Sequence, residues 1–167
     1  MTRVSQRAAL KWTIAAAALF TAALLLGGCV GLFSGQRPDN LGAREGQLAP
    51  CRSTPNCVSS QADPKDAGHS IAPLAIAGPA AAAWSGLVAE LRAQERVAIV
   101  AEKPGYLHAE FTSRLMGYVD DVEFLLDEKA SLIQVRSASR LGSSDFGVNR
   151  KRVEALRAAL GARLNAK

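Results

Sequence analysis

Residues 136–152 read RSASRLGSSDFGVNRKR, with four arginines, a lysine, four serines, an aspartate and an asparagine around only three large apolar side chains. Guanidinium groups grip carboxylates and phosphates through two parallel N–H donors. Arg136, Arg140 and Arg150, with Arg114 upstream, could converge on one anion. Ser139, Ser143, Ser144 and Asn149 could complete its hydrogen bonds, and the first turn of a following helix would add N–H donors and positive potential. The same residues admit a structural reading. The arginines could pair with Asp120, Asp121 and Glu123. A Ser or Asp before the helix would cap it, worth about 1 kcal/mol, and Gly142 and Gly147 would ease turns. A catalytic reading also exists. His108 and Glu110 alternate onto one strand face, Asp145 lies in the loop, and Ser143 or Ser144 could act as nucleophile. No G-x-S-x-G or H-E-x-x-H motif accompanies them, so no catalytic residue is assigned.

Three cysteines supply the remaining chemistry: Cys29, Cys51 and Cys57. Residues 1–28 carry Arg3, Arg7 and Lys11 and no acid, then an apolar run from Trp12 through Leu26. That is the form of a secretory signal peptide, and it is short for a membrane span. Leu26-Gly27-Gly28-Cys29 resembles the bacterial lipobox, where small residues fit the peptidase and the cysteine thiol takes a diacylglyceryl group with its palmitate-type chains. An uncleaved membrane anchor from Trp12 to Val30 is the alternative. Removal of three bases takes the net charge from +5 to +2, so the basic character belongs mostly to the signal and nucleic-acid binding loses its support.

Export implies an oxidising compartment, in which Cys51 and Cys57 of CRSTPNC would form a disulfide. Redox catalysis, metal binding and free thiols are the rivals. The spacing is C-x5-C rather than C-x-x-C, and a zinc site would need further ligands, with only His69 and His108 to offer nitrogen. The sequence calls for no metal and no cofactor.

Residues 29–47, short of large apolar side chains, read as a tether. Residues 48–167 form one domain, opening with an irregular proline-containing stretch to residue 78. Gly78-Pro79 then starts a helix, with Trp84, Leu87, Val88 and Leu91 on one stripe. Four strands follow: 97–102, 106–114, 118–127 and 132–138. In the second, Leu107, Ala109 and Phe111 face a core while His108, Glu110, Thr112 and Arg114 face out. Tyr106, Tyr118 and Phe124 read as core and cross-strand packing. Val153, Leu156, Leu160 and Leu164 stripe a last helix. The expected fold is α+β, a four-stranded antiparallel meander with a helix before it and a helix after it on one face.

CRSTPNCVSS at 51–60, His69 to Pro73 as H-x-I-x-P, YLHAEFTSRLMGYVDDVEF at 106–124 and IQVRSASRLGSSDFGVNRKRVEALR at 133–157 resemble the bacterial and plastid domain-of-unknown-function family numbered 1499. The resemblance spans roughly residues 47–165. It implies one domain in which the cysteine pair, the Tyr-Leu-His-Ala-Glu strand and the Arg-Ser-Ala-Ser-Arg block belong together, and it implies no activity.

These readings describe a lipid-anchored protein of the bacterial cell envelope, facing the periplasm. Val30 after the lipidated cysteine favours the outer membrane over the inner. The expected role is a non-enzymatic module for an anionic small molecule, a lipid headgroup or an envelope protein. A hydrolase or transferase using His108, Glu110 and Asp145, and a purely structural lipoprotein, are the alternatives. Intact-mass measurement of membrane-extracted protein should find a chain beginning at Cys29 with acyl mass added, and Cys29→Ala should leave the precursor unprocessed.

Overall fold

The computed structural model describes residues 12–14, 17–18 and 33–165, with side chains described to residue 162. Most of the segment expected to be a signal peptide, with the expected cleavage site and Cys29, lies outside the described residues. Among the described residues no helix is long and apolar enough to cross a membrane.

The chain forms β1 (Cys57–Ser59), β2 (Leu74–Ala75), α1 (Ala80–Ala93), β3 (Val97–Lys103), β4 (Tyr106–Thr112), β5 (Val119–Asp127), β6 (Leu132–Ser139) and α2 (Val148–Asn165). The sheet is antiparallel and has six strands, in the order β1-β6-β5-β4-β3, with β2 also paired to β6. The four-stranded meander expected from the sequence is therefore incomplete. β1 pairs with Arg136–Ala138 and β2 with Leu132 and Ile133, so the two lie end to end along one edge of β6. Both come from the stretch expected to be irregular. With three and two residues, neither is long enough to show an alternating pattern.

Local chemistry explains the elements. Pro79 stands at the N-cap of α1 with φ −63°, and four alanines open the helix. Its inner face is Ala83, Leu87, Val88 and Leu91. Complete burial of a leucine contributes about 1.5–3 kcal/mol, so Leu87 and Leu91 fix α1 against the sheet. Pro104-Gly105 turns β3 into β4, Gly105 taking φ 69°. A bulge between Ile99 and Ala101 interrupts the β3–β4 register.

One face of the sheet carries the apolar core. Leu107, Ala109 and Phe111 of β4, Val122 and Phe124 of β5, and Ile133 and Val135 of β6 join α1 and α2 residues, including Val153, Leu156 and Leu160, in one cluster. Trp84 packs against that cluster, half-buried. Tyr106 is buried, but on the opposite face of the sheet, and Tyr118 is half-exposed with its ring centroid 5.5 Å from that of Phe33.

The polar face departs most from expectation. His108, Asp121, Glu123 and Arg136 retain only 3, 1, 0 and 4% of their exposure. Contacts from residues 33–61 cover this face. Arg37 bonds Glu110, the Gly42 amide bonds Glu123, and Leu48 is buried with its amide on Gln61.

Cys51 and Cys57 are joined by a disulfide. Cys57 begins β1 opposite Ala138, so the bridge clips the covering segment to the sheet beside the arginine block. Closing a ring of this size contributes about 2.4 kcal/mol in the chain-entropy model. Reduction should lower the urea midpoint by a matching amount. An unchanged midpoint in fully reduced protein would show that the ring adds nothing to folding.

Candidate functional site

Strand register builds the site. Residues directly opposite one another in a sheet share a face. His108, Glu123 and Arg136 form one such row across β4, β5 and β6, and Glu110, Asp121 and Ala138 form the next. Period-two alternation thus fills the middle of the sheet with three acids, a histidine and an arginine, while Ala109, Val122 and Ser137 between them face the other side. Arg140, just past β6, reaches back over the same rows.

Removing an ionised side chain from water costs several kcal/mol, so each acid needs a partner of good geometry. Asp121 receives both arms of Arg140, Nε on Oδ2 and Nη2 on Oδ1, each at 2.8 Å. His108 Nε2 lies 2.8 Å from Asp121 Oδ1. Glu123 accepts from the Tyr106 hydroxyl at 2.8 Å, the Gly42 amide at 2.7 Å and Arg136 Nη1 at 3.1 Å. Glu110 accepts from Arg37 Nε at 2.8 Å and from Arg140.

The pKa directions follow. Burial alone would raise Asp121 and Glu110. Arg140, helped by His108 at the first and Arg37 at the second, outweighs it and holds both below the usual carboxylate range. Arg140 is raised, chiefly by its bond to Asp121. Tyr106 is raised by burial and by Glu123, so it stays a phenol and donates.

A cavity of about 440 Å³ lies between this face and the covering segment. Its lining includes Arg37, Asp39 and Asn40 from the cover, Arg52 and Asn56 from the cysteine loop, and Asp121, Arg136, Ser139 and Arg140 from the sheet side. Glu110 and Glu123 do not line it. Arg136 Nε is the one buried side-chain nitrogen or oxygen without a hydrogen-bond partner among the described residues. Arg52 is exposed and makes no ion pair among them.

Of the eight residues expected to form an anion site, the structure brings Arg136, Ser139 and Arg140 together at this cavity. Arg114, Ser143 and Ser144 are exposed outside it. Arg150 is spent on the carbonyls of Ser70, Ala67 and Gly68. Asn149 is fully buried, accepting from Ser137 and donating to Ser139 Oγ and the Asn56 carbonyl. It ties α2 to β6 and the cysteine loop. The catalytic trio is not assembled. His108 faces Asp121, and Asp145 accepts from the amides of Gly147 and Asn149 at the start of α2. His108, Glu110 and Asp121 each offer an atom within 4.8 Å of the others, as metal ligands would. Both carboxylates are occupied by Arg140, however, and a cation there would have to displace a bidentate guanidinium.

Sequence reasoning missed Arg37, Asp39, Asn40, Arg52 and Asn56. Arg52 and Asn56 sit inside the cysteine motif, which was a usable signal. Asn56 donates to the Gly142 carbonyl at 2.7 Å and thereby holds that loop against the arginine block. No sequence signal marks Arg37.

Fold and site together define a small α+β domain that carries an arginine–carboxylate lattice beneath a second, irregular layer. The chain belongs to the family described as "Protein of unknown function (DUF1499)", which matches residues 47–160. No curated protein matches the chain, and no solved structure does.

Arg140→Ala would strand Asp121 in the interior, and breaking such a pair costs about 3–5 kcal/mol. Urea unfolding should show that loss near neutral pH. Because Asp121 and Glu110 are depressed when folded, their stabilisation is complete above the ordinary values of 3.8 and 4.5 and fades as pH falls through the lower folded values. Stability of the variant should therefore fall less steeply with acid than that of the native chain.

Proposed function

We propose that this domain is a lipid-anchored, non-enzymatic envelope module that binds a small anionic molecule, a carboxylate or phosphate, in the Arg37–Arg52–Arg136–Arg140 cavity. One observation carries the reading. Arg136, almost wholly buried, lines the cavity with its Nε–H unpartnered. An orphaned buried donor costs about 1–3 kcal/mol, more when charged, and a ligand oxygen would recover that. The lining supports the sign of the charge, because four guanidiniums reach the cavity against two carboxylates, Asp39 and Asp121. The volume suits a small molecule rather than a polymer. Asp39 and Asn40 at the cover supply acceptors, which favours a ligand that also carries hydroxyl or ammonium groups.

Retention in the envelope comes from the signal segment and the lipobox-like tetrapeptide, and the disulfide agrees with an oxidising compartment. A periplasm-facing anchor, at the outer membrane by the Val30 criterion, completes the proposal.

Arg52→Ala separates ligand from fold, because Arg52 is exposed and has no ion pair to lose. Calorimetric titration of membrane-extracted protein with citrate and with inorganic phosphate should give saturable binding that weakens with ionic strength. Loss of one charge-assisted contact, about 1.5–3 kcal/mol, should weaken it about tenfold or more in Arg52→Ala without shifting the urea midpoint. Identical isotherms for the native and variant chains, or no saturable heat with either probe, would sink the proposal.

A further inference from the structure

One end of the sheet exposes apolar side chains that the arginine site does not use. Leu115 and Tyr118 come from the β4–β5 turn, Leu141 and Phe146 from the loop before α2, and Val148 from the first position of α2; all five are exposed. Phe33, Tyr118, Leu141, Phe146 and Val148 line a shared groove there. Phe146 is 90% exposed and holds φ 53°, a left-handed conformation that costs a bulky residue free energy. The Asp145 and Ser144 side chains bond the amides around it, so the turn is built to hold this ring in the open. Exposed Arg114 adjoins Leu115 on the other turn.

The second observation is where the chain leaves the domain. Phe33 packs on Tyr118, and Gly35 is pressed so closely on Arg140 and Leu141 that a Cβ at Gly35 would lie 2.9 Å from the Arg140 Cβ. The chain is thereby fixed to this end of the sheet. Only three residues lie between Cys29 and Phe33, four steps that span at most about 14 Å of extended chain. Headgroup regions occupy about 5–8 Å per leaflet, so a lipid on Cys29 holds this end against the bilayer surface. An uncleaved helix ending near Val30 would hold it as closely.

We infer that this apolar end is a membrane-docking surface: Leu115, Tyr118, Leu141, Phe146 and Val148 seat in the headgroup layer of the bilayer that anchors the chain, with Arg114 on its anionic phosphates. The inference takes from the preceding reading only that the chain is anchored near residue 29, and it is independent of the ligand. The domain then stands with its strands rising from the membrane, and the β5–β6 turn lies about 30 Å farther along β5.

The test uses the full membrane-extracted chain reconstituted in phosphatidylethanolamine–phosphatidylglycerol vesicles, with Trp84, and Trp12 where the leader is retained, as the common background subtracted from every variant. Phe146→Trp should lose its added emission to shallow doxyl-labelled phospholipid, and Lys129→Trp, in the far turn, should keep it. Undiminished emission from both overturns docking. Protection of Phe146→Trp from aqueous iodide without doxyl quenching would put a protein on this face instead, and also overturns it. Leu115→Trp repeats the measurement should the Phe146 variant fold poorly. Alkaline carbonate washing tests anchoring separately. Release from vesicles overturns the anchor and docking together, whereas retained protein with an unquenched tryptophan overturns docking alone.

Discussion

Asp121 and Glu123 are both ionisable, both on the central strand and both closed off from solvent, and the second layer of the protein exists on that condition. Neither could sit there unpaired. Their partners come from every direction: Arg136 and Arg140 from β6 and its end, Tyr106 and His108 from β4, and the Gly42 amide from the chain that crosses the face. A sheet with helices on one side commonly leaves its other side wet. Here the wet side is converted into an interior of matched charges, and the covering segment can lie flat on it because the charges beneath are already paired.

The structural and ligand-binding readings of the arginine block are compatible. Arg140 is committed to carboxylates, whereas Arg136 is half committed, with one nitrogen on Glu123 and another unpaired. A buried ion pair that falls short of full satisfaction is poor value as a stabilising device. On the ligand-binding proposal it is a preorganised donor whose counter-ion orients it. Asn56 and the adjacent disulfide then act as positioning elements, fixing the cysteine loop against both the Gly142 carbonyl and the start of α2.

The helices and the four long strands were legible because each carries its own period. Leu107, Ala109 and Phe111 alternate, and Val153, Leu156 and Leu160 recur at helical spacing, so burial of their faces could be read directly. β1 and β2 were illegible because a two- or three-residue strand has no period; its identity lies in the edge of β6 that it completes. The polar row was read correctly as one face and wrongly as solvent-facing. Alternation reports which side chains lie together and says nothing about what covers them, and the cover comes from residues 33–61, far away in sequence. Two of the four cavity guanidiniums, Arg136 and Arg140, were therefore visible in the Arg-Ser-Ala-Ser-Arg block. Arg37 entered only through the tertiary path of that cover, whereas Arg52 stood beside Cys51 in the cysteine motif. Asp145 could be read either as a helix cap or as a catalytic candidate, because the two look alike until their partners are known, and its partners are the Gly147 and Asn149 amides.

The bulge at Val100 bears on a different problem. β3 ends one side of the sheet, and a regular outer strand would offer its unused amides and carbonyls to the same strand of another molecule. The register break between Ile99 and Ala101 throws that hydrogen-bonding row out of step, and Glu102 and Lys103 put charge at its end. Two copies meeting side by side would find no continuous ladder to zip, so the irregularity serves as a guard against fibre-like self-association.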